Sequence, residues 1–140
     1  LMNNPGTEDH GIIRSDFPGG WPGDTKNSFT GQGLSDDERA MQDFTRKLLQ
    51  WRRTAPALRE GKLTHYVPMD GVYVYFRHDE AQKIMVVLNN GDVARTLDTQ
   101  RFHEMIGTAA TGTDVLSQQA HDLARGVTVA ARSATILELH

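Results

Sequence analysis

The chain is 140 residues long, 38% hydrophobic and 24% charged, with a net charge of −3 and no cysteine. That length fits one domain, or one small domain with an arm, and can bury a core without disulfide or metal staples. Scattered cations on an acidic chain argue against nucleic acid or an anionic membrane as partner, since both need a concentrated positive face; the lack of cysteine excludes a thiolate nucleophile, a disulfide framework and a cysteine zinc site.

No apolar run approaches the ~18 residues of a membrane span. The opening "LMNNPGTED" has neither the basic start nor the apolar stretch of a signal peptide. A chain that begins with Leu and passes at once into loop-like sequence reads as a piece of a longer protein. Residues 1–34 carry much of the Gly and Pro and follow neither a helical nor a strand period. A loop of that length without support is expected to be disordered or to belong on a partner.

Residues 35–55 predict a helix. Ser35 and Glu38 have the spacing of a reciprocal capping box, and Asp36 and Asp37 suit the positive helix end. Met41, Phe44, Leu48, Trp51 and Ala55 recur at steps of three and four, and Pro56 stops the run. From about residue 62 the period changes to two. Strands are expected over 63–67, 72–78 and 83–89, joined first by Asp70-Gly71, a hairpin signal. "KIMVVLN" is apolar on both faces, as a central strand would be. Asn90-Gly91 is a second turn signal, 93–97 an edge strand, and 98–106 a short helix capped by Asp98 and ended by Gly107. Strands over 113–116, 127–130 and 134–139 complete the pattern. Helix first and strands after, without alternation, predict a mainly β fold: an antiparallel sandwich or open barrel rather than a parallel sheet.

Candidate chemistry is sparse. His10, His65, His78, His103, His121 and His140 show no metal-ligand spacing, and "GQG" at 31–33 lacks the third glycine and preceding strand of a phosphate cradle. No cofactor or metal is expected. The carboxylates Asp36, Asp37 and Glu38 read as a charged first helical turn; His78-Asp79 and His121-Asp122 read as turns between strands, where a solvated carboxylate keeps no special acidity. Among the aromatics, Trp51 reads as core, and Tyr73 and Tyr75 as the wetter face of a hairpin. Phe17 and Trp21 stand apart, in a Gly/Pro loop with no local core to join.

Three segments together resemble a known family: "GIIRSDFPGGWPGD", then "NSFTGQGLSDDER", then "LLQWRRTAPALREGKLTHYVP". They resemble the alpha-amylase superfamily, glycoside hydrolase family thirteen, in its cyclomaltodextrinase and neopullulanase branch. The resemblance implies that 1–34 follows the last strand of a (β/α)8 barrel, that 35–56 is the barrel's terminal helix and that 57–140 is a C-terminal antiparallel β-domain. It also implies a parent that cleaves α-1,4-glucosidic bonds in cyclodextrins, pullulan or maltodextrins with retention. In that family the nucleophilic Asp, the acid/base Glu and the stabilising Asp follow the fourth, fifth and seventh barrel strands, so no catalytic residue maps onto this chain. Loops after barrel strands open on the catalytic face; the resemblance therefore makes Asp16, Phe17 and Trp21 candidate substrate contacts of the intact enzyme.

The expected role is accessory and non-catalytic, with α-glucan met through the parent and the domain packed against the catalytic barrel. The helix stripe should dock on the sheet or on another chain, a homodimer through the exposed helix being one form of this. The alternative is a carbohydrate-binding β-sandwich using Tyr73, Tyr75 or Trp21, and a third reading is a purely structural interface domain. Family analogy points to the periplasm, with the cytoplasm as the other compartment.

Overall fold

The computed structural model describes residue 6, residues 8–14 and residues 16–140; the rest of the N-terminal loop reading, at 1–5, 7 and 15, lies outside the described residues. The chain forms two compact units, one ending at Thr45 and the other running from Arg46 to His140.

In the first unit the described part of the loop, from residue 16 on, is held by its own hydrogen bonds. After one turn of helix, α1 (His10–Ile13), the Pro-Gly-Gly turn is closed by Asp24. Its Oδ2 accepts from the amides of Gly19 (2.7 Å) and Trp21 (3.1 Å). Asn27 does the same further on, its Oδ1 accepting from Phe29 and Thr30. Its backbone N–H donates to the Gln32 carbonyl at 2.8 Å. Asx side chains that satisfy nearby amides let a loop keep one shape without a core of its own. "GQG" is a turn before the helix, as expected. Gly19 has φ +94, and a Cβ there would lie 2.7 Å from Asn27 Cγ. Only glycine fits that turn.

Helix α2 (Asp36–Arg53) starts at the predicted capping box: Ser35 N donates to Glu38 Oε2 at 2.8 Å and Glu38 N to Ser35 Oγ at 3.3 Å. Its first half is tied to the loop by polar contacts. Lys26 Nζ pairs with Glu38 at 2.7 Å, Arg39 donates to the Gly31 carbonyl, and Gln42 donates to the Ser28 carbonyl. Lys26 and the Ser35 amide hold the Glu38 carboxyl below its ordinary 4.5. A depressed carboxylate pKa stabilises the fold above the unfolded value and loses that effect as pH falls through the folded one. The Glu38→Gln variant should therefore melt below the parent at neutral pH and converge with it in strong acid. Paired thermal melts across that range check the sign.

The second unit is an antiparallel sandwich. β1 (Lys62–His65), β2 (Val72–His78) and β3 (Lys83–Asn89) form a meander. β4 (Arg95–Leu97) follows, then a 3₁₀ turn at Thr99–Phe102 and α3 (His103–Ile106). β5 (Thr111–Asp114), β6 (Ala120–Asp122), β7 (Val127–Val129) and β8 (Ser133–Leu139) complete the chain. The larger sheet runs β1-β2-β3-β8-β5-β6, and β4 pairs with β7 in a second sheet. β3 is central, as its two-sided apolar sequence predicted: Ile84, Met85, Val86 and Val87 are all buried. Asp70 and Gly71 both take positive φ, 51° and 78°, between reciprocal Met69–Val72 hydrogen bonds of 2.9 Å. That is the two-residue hairpin turn their sequence signalled.

One face of the larger sheet (Val72, Val74, Phe76, Met85, Val87, Leu137) meets Val127 and Val129 of the smaller one, with Phe102, Ile106 and Leu123 closing the core. The other face carries a smaller cluster, where Ala55, Ala57, Trp51 and Leu58 pack on Ile84, Val86, Tyr75 and Ile136. Two expectations need correction. The predicted 98–106 helix is a 3₁₀ turn followed by one turn of α-helix, although Asp98 does cap it through the Gln100 amide and Gly107 ends it. Asn90-Gly91 closes β3 as its sequence signalled, and from there the chain crosses to the second sheet. Residues 120–122 form an edge strand on β5 rather than a turn, because their short polar sequence carries no period-two signal.

Candidate functional site

The N-terminal loop holds Phe17, Trp21 and Phe29 at 55%, 67% and 74% exposure. Phe17 and Phe29 stack at 5.2 Å between ring centroids, tilted 57°. The Trp21 amide is pinned by Asp24. Asp16 is exposed next to Phe17 in the chain. The loop thus presents large rings outward on a backbone fixed by Asp24 and Asn27, and such rings can lie on the apolar face of a pyranose. Phe29 was missed from sequence. Its twelve-residue separation from Phe17 hides the pairing, which depends on the turn at 27–32 bringing the chain back.

The strand tyrosines are placed differently. Tyr73 and Tyr75 share a face, with rings 5.6 Å apart, and His65 meets Tyr73 edge-on at 6.2 Å. Tyr75 packs into the cluster formed by the end of α2 and the turn after it, and burial raises its hydroxyl pKa. Trp51 belongs to the same cluster, as a core residue should. Arg77 fastens this joint. Its Nε donates to the Ala57 carbonyl and its Nη2 to the Leu58 carbonyl, both at 3.2 Å.

The His-Asp pairs are structural. Asp79 accepts from the amides of Ala81 and Gln82, while His78 Nε2 lies 3.1 Å from Thr64 Oγ1. Asp122 caps the turn at Leu123–Arg125 and pairs with Arg125 at 3.1 Å. Asp98 and Asp114 are likewise committed to backbone amides. Carboxylates already accepting turn hydrogen bonds are braces, not a split acid and nucleophile. Among the described residues, no group of three or more His, Asp or Glu is placed to hold a metal, and no helix is long and apolar enough to cross a membrane.

Residues 63–138, from β1 almost to the end of β8, match the family model of the cyclo-malto-dextrinase C-terminal domain. The chain belongs to that family. Solved structures with the same fold include alpha-amylases and a debranching enzyme. A variant of AmyP in complex with maltotriose superposes with a TM-score of 0.67 at 16% identity, over 79% of this chain and 23% of that one. An alpha-amylase from Anoxybacillus gives 0.59 at 19%, over 77% and 24%. A debranching enzyme of Nostoc punctiforme, soaked with acarbose, gives 0.52 at 25%, over 76% and 22%. The chain spans about a quarter of the length of the structures it matches.

Proposed function

We propose that this chain is the non-catalytic C-terminal portion of a retaining α-glucan hydrolase acting on cyclodextrins, pullulan or maltodextrins, with an accessory, structural role. In this reading, residues 1–34 are the loop after the last barrel strand, 35–56 the terminal barrel helix and 57–140 the C-terminal β-domain, which packs against the catalytic barrel. The observation that carries it is the family match over 63–138 together with the use of the chain's turn carboxylates as braces. The purified 140-residue chain should release no reducing sugar from cyclodextrin, pullulan or starch; activity above background would overturn the proposal.

Phe17 and Trp21, with Asp16 beside them, form part of the substrate wall of the intact enzyme. Their exposure on a hydrogen-bonded loop supports this. Trp21→Ala in that enzyme should lower kcat/KM for maltoheptaose about tenfold, the loss of one ring contact worth ~1.4 kcal/mol, without moving the melting temperature. An unchanged kcat/KM removes Trp21 from the wall. The alternative of an independent carbohydrate-binding module is weakened at Tyr75, whose ring is occupied by its own domain, and rests on Tyr73 and Trp21. Calorimetry of the chain with maltoheptaose and β-cyclodextrin separates the two, since a binding module must give heat and an accessory domain must not.

A further inference from the structure

We infer that Asn90 is a site of spontaneous deamidation in this chain, and that the buried side chain of Asn89 governs its rate by holding the Gly91 N–H. Asn90 is the one asparagine of the sequence that is followed by glycine. The reaction is a ring closure in which the Gly91 nitrogen, on losing its proton, attacks Cγ of Asn90. The N–Cγ bond forms, the Cγ–Nδ2 bond breaks, and the side-chain nitrogen leaves as ammonia, taking up the proton. Water then opens the succinimide at either carbonyl to give aspartate or isoaspartate. Glycine leaves the attacking nitrogen unhindered because it has no Cβ. Asn90 is exposed, so water reaches it.

The folded junction holds that step back. The Gly91 N–H donates to Asn89 Oδ1 at 2.9 Å, and Asn89 is 3% exposed. Removing the proton would set two lone pairs against each other where little water can screen them. Asn89 cannot turn aside, because its Nδ2 is held by the Val93 and Ala130 carbonyls, each at 2.8 Å. The reacting residues are fixed as well. Asn90 N donates to the Gly71 carbonyl at 3.0 Å, the Gly91 carbonyl accepts from Arg132 N at 3.0 Å, and Asn90 Oδ1 accepts from Arg132 Nη1 at 3.2 Å. Bringing the Gly91 nitrogen onto Cγ requires the Asn90 side chain and peptide to turn against these bonds. Deamidation therefore proceeds through local opening of the crossing from β3 to the second sheet, at a rate set by how often it opens.

Ageing the 140-residue chain at mildly alkaline pH, with peptide mapping by mass spectrometry, tests this. In guanidinium chloride that unfolds the chain, the peptide carrying Asn90 should acquire the amide-to-acid mass shift, divided between aspartate and isoaspartate, and Gly91→Ala should suppress it. In the folded chain the rate at Asn90 should be lower by about tenfold or more, as for a step that needs local opening. Asn89→Leu should remove most of that protection at a temperature where circular dichroism shows the variant folded. Where that variant does not fold, the parent in sub-denaturing guanidinium replaces it: deamidation at Asn90 and hydrogen exchange of the Gly91 amide should rise in step. An unfolded chain that keeps its Asn90 amide would overturn the site. Equal rates in the folded and unfolded parent would overturn the role of Asn89. So would a folded Asn89→Leu that ages as slowly as the parent, or deamidation that climbs without exchange at Gly91.

Discussion

Phe76→Ala is expected to destabilise the sandwich by about 4 kcal/mol, the usual range for emptying a phenylalanine site in a packed core. Phe76 is fully buried on β2. Its ring lies 5.9 Å from that of Tyr66 and 6.2 Å from that of Phe102, while Tyr66 and Phe102 meet edge-on at 4.9 Å. The three rings join the β1–β2 hairpin to the 3₁₀ turn that closes the core. Truncating the central ring leaves a cavity whose walls are strands on one side, which cannot collapse without breaking register. Against the ~5–15 kcal/mol of a typical domain, that loss leaves little margin. Urea unfolding followed by far-UV circular dichroism should show a large fall in midpoint with an unchanged slope. Phe76→Leu should cost far less. Equal losses for the two variants would mean that the aromatic cluster is not the keystone of this core.

Asn89→Leu should cost about 3 kcal/mol, although it replaces a buried polar side chain with an apolar one of similar size. Asn89 ends β3 and is almost fully buried. Its Nδ2 donates to the carbonyls of Val93 and Ala130, each at 2.8 Å, and its Oδ1 accepts from the Gly91 amide at 2.9 Å. One amide thus serves the connection leaving β3 for the second sheet and the one returning from β7 to β8. Leucine would leave two carbonyls and one N–H without partners, and each buried orphan costs about 1–3 kcal/mol before water relieves it. Protection of the amides around 91–93 and 130–132 should fall first in hydrogen exchange. A variant as stable as the parent would show that these loops satisfy themselves with water.

The local grammar of the chain was readable residue by residue. The Ser35–Glu38 box, the Asp70-Gly71 turn, the Asp98 cap and the two-sided apolar run of β3 each depend on neighbours within a few positions. The physics that sets them acts before any tertiary contact forms. The family was readable for a related reason: the Pro-Gly-Gly loop, the helix and the segment after it keep a distinctive order along the chain, and the match over 63–138 agrees with it. The candidate site was readable only in part. Phe17 and Trp21 stood out because their loop offers no core, but Phe29 joined them through a backbone reversal that no periodicity announces.

What tertiary structure decided is where each amphipathic surface ends up. The stripe Met41, Phe44, Leu48, Trp51 and Ala55 looks uniform in sequence, yet Ala55 is buried, Trp51 half-buried, and Met41 and Phe44 are exposed. Tyr73 and Tyr75 look equivalent, yet the end of α2 packs against Tyr75. The reason is physical. Periodicity states that a side chain must leave water, but which surface receives it depends on strand order and on the path of the connections. Sequence alone determined most of the elements, the Ser35 and Asp98 caps and the family; the fold made 120–122 a strand, assigned one sheet face to the core and left the other, beside α2, partly exposed.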